Sequence, residues 1–248
     1  MKNYTTGIIL AGGKGTRLKS TDKNKTTLAL RGKPLVQYGI DLYRAVTTDI
    51  VVVIGAFADS VKATLAGQDV LYATQSEQLG TGHATMVGVE KLIAEHRNPE
   101  YVFVGYGDHM MFYTPEMLVT MVAEIESKKA VMCLVVMEYE DPNSLAWGRI
   151  IRSSNGDVDD VIEQKDASEE ILKLKELNAG FYCFRFNFLK EAITKLKPSP
   201  VTGEYYLTDL VKIARQENQR VLSTLIPFEK VGTGINTAEQ LQTTESMM

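Results

Sequence analysis

The stretch GIILAGGKGTRLKS, residues 7–20, decides the reading of this chain. Gly7 to Leu10 form an apolar run that reads as a buried β-strand. Gly12, Gly13 and Gly15 then let the backbone approach a ligand with no Cβ in the way. Consecutive N–H groups in such a turn make a nest for anions, and Lys14 and Arg17 add donors. An ordinary strand-to-loop turn with two solvated cations fits the same residues. GKGTRL lacks the third glycine of the dinucleotide fingerprint, and no GK[ST] follows at the spacing of a P-loop. A phosphate-bearing ligand is implied, without its identity.

Working outward, short β-branched runs alternate with helical patterns. TTGIIL is followed by PLVQYGIDLYRAV, where Leu35, Tyr38, Leu42 and Ala45 are expected on one helical face. DIVVVIG precedes a short helix around DSVKATLAG, VLYAT precedes GHATMVGVEKLIAEH, YVFVGYGD precedes PEMLVTMVAEIESK, and AVMCLVVME follows. Such alternation, with near-continuous apolar strands, predicts a parallel sheet covered on both faces. Ligands bind such sheets at the carboxyl ends of the strands, where LAGGKG, ATQSEQLGTG and VGYGD all lie.

From about residue 141 the texture changes. WGRIIRSSNGDVDDVIEQ reads as an antiparallel hairpin turning at NGD. ELNAGFYCFRF is a further strand, NFLKEAITKL and YYLTDLVKIARQEN are helices, and RVLSTLIPF is a last strand. The expected architecture is a single α/β domain over residues 1–248. It is Rossmann-like, a mixed and mostly parallel sheet flanked by helices. A nucleotide-binding lobe of about residues 1–140 faces a smaller antiparallel lobe of about 141–248 across a cleft.

Composition narrows the function class. With 44 % hydrophobic residues, 248 residues can bury a sizeable core. Lys plus Arg number 27 against 31 for Asp plus Glu, a net charge of −4, which argues against nucleic acid bound on a broad basic face. Cys133 and Cys183 sit in apolar runs and read as buried small hydrophobes, and no Cys/His cluster has zinc spacing. The N-terminus lacks the apolar core and cleavage site of a signal peptide. The longest apolar run, AVMCLVVM, falls far short of the roughly 20 residues that span a bilayer. A cytoplasmic protein with no membrane partner is expected.

Four further segments carry chemistry. In QSEQLGTGHA, residues 75–84, Gly80-Thr81-Gly82 opens a helix with Thr81 as N-cap, an anion-attracting end. Gln75 and Gln78 each offer the donor and acceptor needed to read a nucleobase edge, while His83 reads as structural. Asp108 lies just past the strand YVFVGY, where a carboxylate is costly unless it meets a cation or a metal. One such carboxylate suits Mg²⁺, which keeps waters and substrate phosphates as its other ligands. Histidine does not suit that ion, so His109 is left out. Glu163 and Lys165 in IEQKDA stand at i, i+2 and would share one face of a strand, either to hold a sugar phosphate or as a surface ion pair. Asn178 in LNAGFY can bond sugar hydroxyls, and the Asn236 carbonyl oxygen in VGTGIN can join a metal shell.

LAGGKGTRL, QLGTGHA, GYGD, WGRI, IEQKDA, LNAGFY, GEYYLTD and GIN occur in this order from about residue 7 to 237. In order and spacing the chain resembles the sugar-1-phosphate nucleotidyltransferases. The likeness is closest to the uridylyltransferase domain of the bifunctional N-acetylglucosamine-1-phosphate uridylyltransferase/glucosamine-1-phosphate acetyltransferases. The resemblance implies the nucleotide-diphospho-sugar transferase fold. It also implies that Leu10, Ala11, Gly12 and Gly13 hold uridine, that Lys14, Arg17 and Lys25 meet the phosphates, and that Gln75, Gly80 and Thr81 read the uracil. Arg17 and Lys25 would be catalytic. Asp108 and Asn236 would bind Mg²⁺, and Tyr106, Gly148, Glu163, Lys165 and Asn178 would surround the sugar phosphate. The implied reaction is attack of a sugar 1-phosphate oxygen on the α-phosphorus of UTP, releasing pyrophosphate. Positioning and charge neutralisation suffice for that step, and no Ser-His-Asp or Cys-His set is found.

The chain departs from the pattern in three places. The family's second lysine follows Leu-Pro, whereas LKSTDKN, without proline, leads here to Lys25, with Lys23 as a substitute. GYGDHMM replaces a hydrophobic-Pro pair after the aspartate, and Trp147 stands in place of a tyrosine. The acetyltransferase β-helix of hexapeptide repeats has no counterpart in residues 1–248, so acetyl transfer and a β-helix trimer are not expected. The chain is a monofunctional enzyme or part of a longer one, and a homo-oligomer is compatible with either. N-acetylglucosamine 1-phosphate is the first acceptor expected. Glucose 1-phosphate, another sugar or alcohol phosphate, and CTP or dTTP are alternatives. A non-catalytic subunit that binds nucleotide sugars is a reading of a different class, and a dehydrogenase-like dinucleotide binder is another.

Overall fold

All seven residues of TTGIILA are buried, and they form the central strand β1 (Thr5–Ala11) of the computed structural model, which describes residues 4–15, 23–235 and 237–248. Arg17 and Asn236 lie outside the described residues. After β1 come a two-residue hairpin, β2 (Ala29–Leu30) and β3 (Lys33–Pro34), then α1 (Leu35–Val46), β4 (Asp49–Ile54), α2 (Ala58–Thr64) and β5 (Leu71–Thr74). Next are α3 (Thr81–Ala94), β6 (Tyr101–Tyr106), α4 (Pro115–Ser127) and β7 (Met132–Glu138). The hairpin β8 (Arg149–Arg152) and β9 (Val158–Ile162), α5 (Glu169–Leu172), β10 (Glu176–Arg185) and α6 (Phe186–Ala192) follow. The chain closes with α7 (Asp209–Gln216), β11 (Val221–Leu225) and α8 (Ala238–Met247).

The main sheet runs β11-β7-β10-β6-β1-β4-β5, with β8 paired to β10 and β9 to β8. β1 is parallel to β4 and β6, β4 to β5, and β11 to β7. β10 is antiparallel and lies between β6 and β7. This is the mixed, mostly parallel sheet expected, and the later part of the chain contributes strands to the same sheet rather than a separate one.

Side chains alternate across β1. Ile9 packs with Ile40, Tyr43 and Phe103 on one face, and Ile8 with Val89, Leu92 and Val102 on the other. Each such fully buried isoleucine contributes about 1.5–3 kcal/mol relative to exposure. The expected face of α1 needs correction, because Ala45 is exposed. The buried set is Leu35, Val36, Gly39, Ile40, Leu42, Tyr43 and Val46. The stripe is rotated because Tyr43 packs over Gly7, where a Cβ would lie 2.1 Å from the ring. Both cysteines are free and buried, and burial pushes the Cys133 thiol up to about 12. Among the described residues no helix is long and apolar enough to cross a membrane.

Candidate active site

The carboxyl ends of β1, β5 and β6 open into a cleft of about 530 Å³, a size typical of small-molecule sites. Every predicted site residue among those described lines it, except Ala11 and Lys14. Ala11 is buried as the last residue of β1, and the Lys14 side chain is exposed beside the cleft. On the strand-end wall stand Leu10, Gly12, Gly13, Gln75, Tyr106 and Asp108. Gly148, Glu163, Lys165, Asn178 and Gly180 also line the cleft.

Asp108 is buried in the turn after β6, and its Oδ2 lies 2.5 Å from Lys25 Nζ. The cation that this carboxylate requires is therefore supplied from the segment following the glycine-rich turn. Lys23, the substitute considered above, is exposed and does not line the cleft. Asn24, which the sequence reading passed over, is fully buried beside Lys25 and donates to the carbonyls of Ala11, Gly13 and Ala56.

QLGTGHA and GEYYLTD, far apart in sequence, meet here. The Gly82 N–H donates to the Tyr205 carbonyl (2.8 Å), and the Tyr205 N–H donates to that of Leu79 (2.7 Å). Gly80 has φ +102°, and a Cβ on it would lie 2.5 Å from the Tyr205 oxygen. Gly80, not Thr81, is the N-cap of α3. Thr81 is the first helical residue, and its Oγ1 accepts from the Leu207 N–H at 3.1 Å. That pairing also holds Tyr205 and Tyr206 out of helix, so α7 begins only at Asp209, later than the periodicity predicts. Gln75 is buried, and its Nε2 donates to the Gly80 carbonyl at 3.1 Å. The same nitrogen lies 3.2 Å from His83 Nδ1, which is also 3.0 Å from the Glu77 carbonyl, so His83 packs beside the Gln75 amide against the turn before α3.

β10 carries a bulge between Asn178 and Tyr182, at which Gly180 has φ +71°. A bulge re-aims side chains. Here it lets Tyr106 pack over Gly180, while the Asn178 amide donates to Tyr182 Oη (2.7 Å) and its Oδ1 accepts from the Gly180 N–H. Glu163 and Lys165 do not share a strand face. β9 ends at Ile162, and Gln164–Asp166 form a 3₁₀ turn. Glu163 Oε1 accepts from Thr208 Oγ1 at 2.9 Å, whereas the exposed Lys165 pairs with Glu204. Burial raises the Glu163 carboxyl, with Asp209, Asp166 and Glu204 adding to the rise and the Thr208 bond opposing it. Burial also raises the Tyr106 phenol.

Two of the departures from the family pattern, His109 and Trp147, touch each other. The His109 and Trp147 rings lie 5.0 Å apart at 55°. His109 is buried, its Nε2–H donates to the Gly232 carbonyl at 3.2 Å, and burial lowers its pKa, so it is a neutral wall of the cleft. Arg149, fully buried, donates to the carbonyls of Pro142, Trp147 and Leu172 and to Asn143 Oδ1. It thereby fixes the loop that brings Ser144 to Gly148 into the cleft. Burial lowers its pKa. Nothing in WGRI marked this role, since an arginine at the start of a hairpin strand is read as exposed.

Among the described residues no group of three or more His, Cys, Asp or Glu side chains could hold a metal by itself. Asp108 is a single hard oxygen donor opening on a cleft, and Asn236 follows the segment whose Ile235 N–H donates to the Asp108 carbonyl. That donor set fits a cation whose remaining ligands come from substrate phosphates.

Residues 7–172 match the family model of the MobA-like NTP transferase domain. The chain is 35 % identical over 246 residues to the bifunctional protein GlmU of Clostridium botulinum, covering 99 % of this chain and 52 % of that protein. It is 39 % identical over 223 residues to the bifunctional protein GlmU of Alcanivorax borkumensis, covering 90 % and 47 %. The chain thus spans about half the length of these curated relatives. A solved UDP-glucose pyrophosphorylase, complexed with UDP-glucose, superposes with TM-score 0.76 at 18 % identity, covering 98 % of this chain and 97 % of that one, which shows a shared fold.

Proposed function

Because the chain belongs to the MobA-like NTP transferase domain family, we propose that it transfers a uridylyl group from UTP to a sugar 1-phosphate, with N-acetylglucosamine 1-phosphate as the first acceptor. The observation that carries the reading is one cleft at the strand ends that gathers residues distant in sequence, among them Gly12, Lys25, Gln75, Asp108, Glu163 and Asn178. The similarity to GlmU proteins over nearly the whole chain favours UTP and that sugar phosphate.

In this mechanism the glycine-rich turn presents backbone N–H groups to the triphosphate while Lys14 and Arg17 add charge. Lys25 neutralises charge as the sugar phosphate oxygen attacks the α-phosphorus and pyrophosphate departs. Gln75, its amide donating to the Gly80 carbonyl, faces the base. Glu163, Asn178 and the backbone at Gly148 bind the sugar hydroxyls. Asp108 and Asn236 would hold Mg²⁺, which when bound neutralises the triphosphate. The residues supply positioning and electrostatics, and no protein nucleophile is needed. Pyrophosphate release with UTP, Mg²⁺ and a panel of sugar 1-phosphates tests the proposal. Nucleotide binding without release on any acceptor would reduce the chain to a binding module.

One observation favours a second acceptor. The His109–Trp147 pair stands where the family pattern has other residues, so glucose 1-phosphate and alcohol phosphates belong in the same panel.

A further inference from the structure

Asn24 precedes Lys25 where the family pattern has proline, and its backbone sits at φ −69°, ψ 140°. A proline ring would preset that φ, yet here hydrogen bonds supply the constraint. The side chain is 1 % exposed. Its Nδ2 donates to the carbonyls of Ala11 (2.9 Å), Gly13 (3.1 Å) and Ala56 (2.9 Å). Its Oδ1 accepts from the Thr26 N–H (3.0 Å) and Oγ1 (2.9 Å), and its own N–H donates to Ser60 Oγ.

These bonds join three segments: the end of β1 with its glycine-rich turn, the turn after β4, and the short 3₁₀ helix Lys25–Thr27. All peptides described are trans. A carbonyl drawn onto Asn24 therefore points the following N–H the opposite way, which turns the Gly12 and Lys14 amides away from Asn24. On the other side of the junction, Lys25 reaches Asp108 at 2.5 Å.

We infer that Asn24 is a positioning residue that acts through Lys25: by anchoring its own segment to the carbonyls of Ala11, Gly13 and Ala56, its side-chain amide holds Lys25 in one geometry relative to Asp108. This rests on the nucleotidyltransferase reading above. An alanine leaves three carbonyls without their shared donor. An aspartate, of the same shape, keeps the Thr26 cap but puts a carboxylate oxygen against those carbonyls, where no donor remains.

The test is steady-state kinetics on the full chain, with the nucleotide and acceptor that the wild type uses best, for N24A, N24D, K25A and N24A/K25A. Melting temperatures confirm that each variant is folded at the assay temperature. N24A and N24D are expected to lose roughly 10–100-fold in kcat, as a misplaced group does, with the acceptor KM changed by less than about threefold. N24A/K25A is expected to match K25A within about threefold, because there is no longer a lysine to position. A purely structural role would multiply the two losses. Multiplicative losses, or N24A and N24D each within about threefold of wild type, overturn the inference and leave the proposed reaction standing. A wild type silent with every nucleotide and acceptor overturns the proposed reaction, and the inference with it.

Discussion

Replacing Gly180 by alanine puts two separable loads on the β10 bulge that lines the cleft. The residue sits at φ +71°, where an L side chain costs about 1–2 kcal/mol. The new Cβ would also stand 2.2 Å from Tyr106 Cε2, a contact that only displacement of this half-buried ring can relieve. Overpacking of that kind costs about 1–3 kcal/mol. Together they predict a loss of roughly 2–5 kcal/mol. At about 2–4 °C per kcal/mol for a domain of this size, the melting temperature falls by roughly 4–20 °C. Gly156 at the hairpin tip provides the control, since it has φ +86° but no atom within 4 Å of its would-be Cβ. Its alanine variant carries only the backbone cost, a drop of roughly 2–8 °C. Differential scanning calorimetry on both variants and on Y106A/G180A separates the loads, because removing the ring should return the double variant toward the Y106A value. If G180A melts no lower than G156A, or if Y106A and G180A add independently, the packing argument for this bulge fails.

Asp108→Ala is expected to lower kcat by at least about 10²-fold while the protein stays folded, as read by pyrophosphate release and circular dichroism. Lys25→Ala should cost far more turnover than Lys23→Ala, and the reverse would show that the lysine has been misassigned. Glu163→Gln keeps a hydrogen-bonding group against Thr208 but removes the carboxylate, so the acceptor KM should rise by about tenfold while the UTP KM holds; equal changes in both would place Glu163 elsewhere in the reaction. Burial raises the Asp209 carboxyl from 3.8 to about 6, so its proton is bound more tightly in the folded state. The stability advantage of that proton is present below about pH 4 and lost as pH rises through about 6. Asp209→Asn should therefore melt higher than wild type at pH 8 and no higher at pH 4, and a pH-independent difference would refute this.

The strands and their order of use were legible because the core is built on alternation: Ile8 and Ile9 fall on opposite faces of β1, and both faces are covered. The strand-end positions of Asp108, Gln75 and the glycine-rich turn followed from the same rule. What the sequence hid was contact across distance. The face of α1 shifted because Tyr43 packs on Gly7, a pairing that helical spacing does not contain. Glu163 and Lys165 parted because β9 stops at Ile162, and α7 started late because Tyr205 bonds across to Leu79 and Gly82. Arg149 looks like a surface cation until its carbonyl partners are known. Asn24 did carry a signal, an asparagine two residues ahead of a threonine whose N–H it caps, but the three carbonyls that it clamps come from elsewhere.

The central claim, attack by a sugar phosphate oxygen on the α-phosphorus of UTP, is tested most directly by isotope tracing. With N-acetylglucosamine 1-phosphate labelled with ¹⁸O in its non-bridging phosphate oxygens, mass spectrometry should find all of the label in UDP-N-acetylglucosamine and none in pyrophosphate. Label in the pyrophosphate, or no UDP-sugar from any sugar 1-phosphate supplied with UTP and Mg²⁺, would contradict it.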